Sequence, residues 1–463
     1  MTAEAPWTGD AVSLVDAFRA GTRSPLEEVE ATLAAISSSG LGAFCYLDAD
    51  RALAAARTAD PGLPFGGVPF GVKELDRVAG WPAADASLVF RDRVADFEHT
   101  AIGRVRRSGA VLVGQTTASE FGGLNISVSR LHGVTANAWD PARSAGGSSG
   151  GSATAVAGGL VPLASGSDGG GSIRIPAGFC GVLGMKGTAG RIPRGPFTPI
   201  APQTVVLGCL ARSVRDVARY LDVCNGFDPR DPYSLPRVEG WERDLGKADL
   251  RGRRAAIAPT LGHAVITPEM EARVREQAEA LARDAGLRIV ELPVAFPSLG
   301  LEWALANLPA LVVELGEHYP AQLSELSTEL AFGLTLARQA YDLDTAARIE
   351  RGRTEANEAM AAIFDQVDFV IAATNPDVAF PAEETLNTRV GDRLVGPDNN
   401  GVLTIPANVC GNPAVSIPSG TLHGMPVGLQ VIGRHHEDAL LLDLARVVER
   451  ERPWPLVAPG APC

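Results

Sequence analysis

Apolar positions along this chain alternate between two spacings. In SPLEEVEATLAAI (24–36), Leu26, Val29, Leu33 and Ile36 recur at helical intervals. Ser24, Pro25 and Glu27 in front of them make a capping box with proline at the first helical position. GVPFGVKEL (67–75) and GAVLVGQT (109–116) are short, continuous and apolar, which predicts buried strands, the first running through Lys73. GSATAVAGGL (151–160) is built of small residues and predicts a closely packed helix. A strand in RRAAIAP, a helix opening at Thr267-Pro268 and a strand in LRIVELP form a β-α-β unit. Helical patterns fill 300–365, and DFVIAATNP (368–376), PAVSIPSG (413–420) and MPVGLQVIG (425–433) return to strands before a final helix near Glu437. Residues 225–251, rich in Asp, Pro, Arg and Gly, read as a long surface connection. Alternating strands and helices predict an α/β fold with helices on both faces of a sheet.

Composition narrows the class. The chain has 463 residues, 46% hydrophobic and 21% charged, which suits a globular protein with a sizeable core. No connection is long and polar enough to separate two units, so 1–463 is expected to be a single domain. The six cysteines (Cys45, Cys180, Cys209, Cys224, Cys410, Cys463) include no CxxC pair, and there is no HExxH, so free thiols in a reducing compartment are expected rather than a disulfide or zinc framework. MTAEAPWTGD carries no apolar stretch of a secretion signal, and WALANLPALVVEL, the most apolar run, is interrupted by Asn307 and Pro309. A cytoplasmic location is the expectation. The net charge of −13 and the lack of a basic run argue against nucleic acid or an anionic membrane as partner. Only Lys73, Lys186 and Lys247 of the 41 basic residues are lysines.

Two glycine–serine segments carry the chemistry: SAGGSSGGSATAV (144–156) and SDGGGSIRIP (167–176). A flexible linker is a poor reading of the first, because it runs into a helix and then a strand. No GxxxxGK[ST] is present, so a phosphate-cradling loop is unsupported. GGSSG and GSSGG match GxSxG at Ser148 and Ser149, but NAWDPARSA in front of them is not the strand that a nucleophile elbow requires. Ser148 follows two glycines, Ser172 follows three, and Lys73 stands in an apolar strand. A serine hydroxyl needs a base, and a lysine serves when burial holds it neutral. Glycines at 169–171 leave backbone N–H groups free to meet a developing oxyanion. The tract therefore reads as an oxyanion hole ending in its own nucleophile. Cys180 reads as core.

The span from GGSSGGSATAVAGGL to SDGGGSIRIPAGFCGVLGMKGT resembles the amidase signature family. GVPFGVKELDRVAG, GAVLVGQTTASEFG, NAWDPARSAGGSSGG and NPAVSIPSGTLHGMPVGLQVIGR extend the resemblance over most of the chain, least over 225–365. It implies that family's fold, a large mixed, mostly parallel β-sheet covered by helices on both faces. The signature core would span about 60–225, a more variable helical, substrate-side region about 225–365, and the closing strands and helix 366–463. The resemblance assigns Lys73 as base, Ser148 as bridging serine after a cis peptide bond and Ser172 as acyl-forming nucleophile. Gly169, Gly170 and Gly171 match its oxyanion loop, and Ser149, Asp168 and Arg174 are expected to support the catalytic serines. The family usually has Thr or Ile where Gly170 stands, which predicts a more mobile oxyanion loop, and proline where Gly187 stands.

The expected activity is a serine amidohydrolase needing no metal or cofactor, active as a monomer or homodimer on small-molecule amides, anilides or carbamates (urethanase-like), as bacterial relatives are. The alternatives are one component of an amidotransferase for aminoacyl-tRNA and a catalytically silent scaffold. For substrate choice, TAGRIPRGPFTPIAPQTVVLG (188–208) has prolines at 193, 196, 199 and 202, which suit an extended path. This segment is expected to return over the site as a lid. Ile192, Phe197 and Ile200 would wall a pocket, and Arg191, with Arg194, would reach a substrate carbonyl or the rim.

Overall fold

The computed structural model describes residues 5–198, 203–297, 299–396, 399 and 401–461. Its strands begin with β1 (Phe44–Leu47), β2 (Pro69–Lys73), β3 (Val111–Thr116), β4 (Val128–Ser129), β5 (Gly133–Val134), β6 (Leu163–Asp168), β7 (Leu183–Lys186) and β8 (Val206–Ala211). They continue with β9 (Arg254–Ile257), β10 (Arg288–Ile289), β11 (Phe369–Ala373), β12 (Arg389–Val390), β13 (Arg393–Leu394), β14 (Ala414–Leu422) and β15 (Met425–Gly433). Eleven strands share one sheet in the order β1-β3-β2-β6-β8-β7-β14-β15-β11-β9-β10, while β4–β5 and β12–β13 pair separately.

The sheet is large and mixed, but its balance differs from the expected parallel excess. Four neighbouring pairs are parallel (β3–β2, β2–β6, β11–β9, β9–β10) and six are antiparallel. Two features produce this. β8 inserts between β6 and β7, antiparallel to both. β14 and β15 form a hairpin whose turn residues His423 and Gly424 have φ of 52° and 78°. Positive φ at both central residues matches the twist of the two strands. LRIVELP contributes only Arg288–Ile289, an exposed two-residue edge.

Local signals explain several elements. The helix Pro25–Ser38 carries the full capping box, with Ser24 Oγ accepting from Glu27 N–H and the Glu27 carboxylate accepting from Ser24 N–H. The helix Pro268–Ala285 starts at Thr267 and ends on Gly286 in the left-handed region. The helix Gly300–Leu315 continues through Pro309. Residues 225–251 contain neither helix nor strand, as expected. The helix Gly150–Ala157 is buried on all sides. A Cβ on its Gly151 would overlap the Thr117 backbone, so small residues let this helix sit directly against the sheet's end. Among the described residues no helix is long and apolar enough to cross a membrane, and Cys45, Cys180, Cys209, Cys224 and Cys410 are free thiols. Cys180 is fully buried in the core, and burial pushes its thiol up to about 12.

Candidate active site

The parallel strands β3, β2 and β6 end together at Thr116, Lys73 and Asp168. The carboxyl ends of parallel strands are where α/β sheets place ligand sites. Every residue of β2 is buried, so Lys73 enters a nearly dry environment. Its Nζ lies 2.8 Å from Ser148 Oγ, 2.8 Å from Ser149 Oγ and 2.9 Å from Ser167 Oγ. Three hydroxyls satisfy a three-donor ammonium. In the neutral amine two N–H bonds remain and a lone pair appears. Ser149 Oγ already donates to the Ser167 carbonyl at 3.3 Å. Ser149 and Ser167 can thus take the two N–H bonds, leaving the lone pair for the Ser148 hydroxyl proton. Burial favours that neutral form, bringing Lys73 down to about 8 against the opposing charges of Asp76, Asp168 and Glu74. Glu74 does not pair with Lys73; its carboxylate accepts from the N–H groups of Ala86 and Ala118 and meets His132 Nε2 at 2.9 Å.

The Gly147–Ser148 peptide is cis. A Cβ on Gly147 would overlap the Ile126 backbone, so the serine loop packs tightly there. Ser149 N–H donates to the Ser172 carbonyl at 3.1 Å, tying the two serine segments together.

The glycine tract is held from both sides. The Asp168 carboxylate accepts from Gly171 N–H at 2.7 Å and from Ile173 N–H at 3.2 Å. Arg174 closes on it with Nε and Nη2, each at 2.9 Å. Burial alone would raise the Asp168 carboxyl, but the Arg174 guanidinium holds it well below the usual carboxylate range. Arg174 also donates to Gln430 and Asn408, both fully buried, and Asn408 Nδ2 donates to the Asp168 carbonyl at 2.7 Å. Each carbonyl of the tract has a donor. Trp303 Nε1–H reaches Gly169 O at 2.7 Å, Thr404 Oγ reaches Gly170 O at 2.6 Å, and Ile175 N–H reaches Gly171 O at 2.7 Å. The tract is therefore pinned, contrary to the mobility expected from Gly170. Gly171, expected among the oxyanion donors, gives its N–H to Asp168. The N–H groups of Gly169, Gly170 and Ser172 meet no acceptor among the described residues.

Ser148, Ser167, Gly169 and Ser172 line one cavity of about 480 Å³. Its walls are largely apolar, with Phe121, Leu207, Trp303, Leu308, Leu311 and Leu330 prominent. Some charged groups on it are paired: Arg77 holds Asp85 through two bonds of 2.7 Å, and Arg93 holds Glu314 at 2.7 Å, while Asp76, Arg194 and Glu329 also line it. The expected lid is only partly there. Arg191 is buried, 3.5 Å from Asp438, with its guanidinium over the Trp241 ring, and Ile192 belongs to the core. Both turn inward because Asp438 also binds Thr188 N–H and Oγ, anchoring the start of the segment. Phe197 does line the cavity, packed against Phe97 at 4.8 Å between ring centroids, as do Arg194, Gln203 and Val205. Ile200 lies outside the described residues.

Ser167, Trp303, Thr404, Asn408 and Gln430 join the site without being singled out by the sequence pattern. Ser167 stands immediately before Asp168 in the second glycine–serine segment and offers the one local signal. The others arrive from more than a hundred residues away. Among the described residues, Cys45, Glu74 and His132 could hold a metal ion, their donor atoms lying within 4.8 Å of one another.

The family description Amidase matches residues 27–442. The A component of a glutamyl-tRNA(Gln) amidotransferase from Chloroflexus aurantiacus is 33% identical over 471 residues, covering 95% of each chain. An acylamidase of Rhodococcus erythropolis is 33% identical over 84% of this chain and 82% of its own. A bacterial aryl acylamidase of the amidase signature family superposes with a TM-score of 0.87, at 25% identity over 96% of both chains. With two serine loops and a pinned glycine tract on one cavity, a buried lysine behind them, and that match spanning nearly the whole sequence, this chain belongs to the amidase signature family of carbon–nitrogen hydrolases.

Proposed function

We propose that the chain hydrolyses bulky, uncharged amides, anilides or carbamates through an acyl-enzyme on Ser172. The observation that carries this reading is Lys73: fully buried, brought down to about 8, and 2.8 Å from the Oγ of Ser148, which lines the same cavity as Ser172. Neutral Lys73 takes the Ser148 hydroxyl proton as Ser148 takes that of Ser172. The Ser172 oxygen forms a bond to the substrate carbonyl carbon, and the carbonyl oxygen takes the charge before the glycine-tract N–H groups. Collapse breaks the C–N bond, and Ser148 protonates the leaving amine while Lys73 returns its proton. Water then cleaves the acyl ester by the same relay and restores the Ser172 hydroxyl. The largely apolar walls of the cavity favour a neutral substrate, since burying an unpaired charge there is costly.

The amidotransferase reading uses the same residues, and the similarity to glutamyl-tRNA(Gln) amidotransferase components favours it. The net charge of −13 favours the small-molecule reading. A screen of p-nitroanilides, simple amides and aryl or alkyl carbamates on the isolated chain decides. Turnover of bulky neutral substrates supports the proposal, whereas glutamine-only activity that needs further protein components overturns it.

A further inference from the structure

We infer that Trp303 is a positioning residue that aims one oxyanion donor while walling the cavity; this rests on the reading of Ser172 as nucleophile. Trp303 stands in the first turn of the helix Gly300–Leu315 and lines the cavity. Its Nε1–H donates to the Gly169 carbonyl at 2.7 Å. That carbonyl and the Gly170 N–H belong to one planar trans peptide, so they point in opposite directions. Fixing the oxygen fixes the hydrogen. The same logic covers the rest of the tract with different partners. Thr404 holds Gly170 O, which turns Gly171 N–H onto Asp168, and Ile175 N–H holds Gly171 O, which sets Ser172 N–H. Of the peptides bearing candidate oxyanion donors, the Gly169–Gly170 unit alone is oriented by a cavity-wall side chain among the described residues.

A second observation supports the coupling independently. A Cβ on Gly170 would lie 2.7 Å from Trp303 Cζ2 and 2.9 Å from Cε2. The indole occupies the space that a side chain at 170 would need. The glycine and the tryptophan are therefore one arrangement, with the ring touching the loop on one side and bounding the substrate space on the other.

The test uses Trp303→Phe, Trp303→Ala, Gly170→Ala and the Gly170→Ala/Trp303→Ala double variant of the full chain. Each is assayed on a small anilide the wild type cleaves and for labelling by a fluorophosphonate probe. Trp303→Phe keeps most of the ring and loses the N–H donor. It is expected to lower kcat about tenfold with KM changed less than about twofold, and to slow labelling in step, because a mis-aimed donor acts on the transition state rather than on binding. Gly170→Ala is expected to lose activity in the wild-type background and to add little once Trp303 is Ala. Wild-type kcat in Trp303→Phe, or an equal Gly170→Ala penalty in both backgrounds, overturns the role. If Trp303→Phe does not fold, the Gly170→Ala comparison still decides. Persistent labelling of Ser172→Ala sinks the nucleophile assignment instead, which separates the two failures.

Discussion

Asp168 and Arg174 face each other across one turn of chain, joined by two bonds of 2.9 Å with neither side chain exposed to solvent. The pair frames the loop that presents Ser172, since the same carboxylate binds Gly171 N–H. Removing one member strands the other in a site closed to solvent. Arg174→Ala is expected to destabilise the fold by about 3–5 kcal/mol. Denaturant unfolding of the variant checks this, and a loss below about 1 kcal/mol would contradict the framing role.

Lys73→Ala, Ser148→Ala and Ser172→Ala are each expected to lose amidase activity by about a thousandfold or more, because relay groups act as a unit. Circular dichroism should report folded protein in each case. Ser172→Ala should yield no covalent adduct with a serine-directed inhibitor. Near wild-type hydrolysis by that variant would refute the nucleophile assignment.

In the proposed relay the Lys73 base works only when neutral, so the expected pH profile has a determined sign. With Lys73 near 8, kcat/KM should fall by about tenfold per pH unit well below that value and level off above it. Asp76 opposes the burial effect by favouring the charged lysine. Asp76→Asn should therefore move the acid limb to lower pH. A profile flat from about pH 5 to 9 would exclude a lysine base.

Phe197 and Arg191 should behave differently. Phe197→Ala opens the cavity wall and is expected to change KM and the ranking of large against small substrates. Arg191→Ala removes a buried partner of Asp438 and is expected to cost about 1–3 kcal/mol of stability with the ranking unchanged. Ranking assays with paired thermal melts distinguish the two. A ranking altered by Arg191→Ala alone would reverse this assignment.

What was legible in the chain follows from how locally each feature is determined. The capping box at Ser24 and the buried strand that reaches Lys73 are short-range signals, and the structure places them as read; the glycines before Ser172 were only partly so, since Gly171 gives its N–H to Asp168. Sheet direction was not legible, because a strand's partner is chosen by the path between strands. β8, which follows β7 in the chain, lies between β6 and β7 and runs antiparallel to both. Arg191 misled for a related reason. Beside prolines it reads as a rim residue, yet its partner Asp438 lies 247 positions further on (438 − 191). Trp303 and Asn408 gave no signal, since each acts on the glycine tract through a single long-range contact set.

The proposed relay groups Lys73, Ser148 and Ser172 sit at the end of β2, on the loop before Gly150–Ala157 and just beyond β6, whereas the far wall comes from the helices Gly300–Leu315 and Thr328–Ala340. Among the described residues, none of the hydrogen bonds at Lys73 comes from those two helices. On the proposed reading, the proton relay and most of the selectivity wall are thus encoded in separate stretches of the gene, and recombination within 304–340 is expected to exchange the wall while sparing the relay. Trp303 is the tie between them: a transplanted wall has to arrive with a residue that fits against Gly170, or with a new side chain at 170 to match.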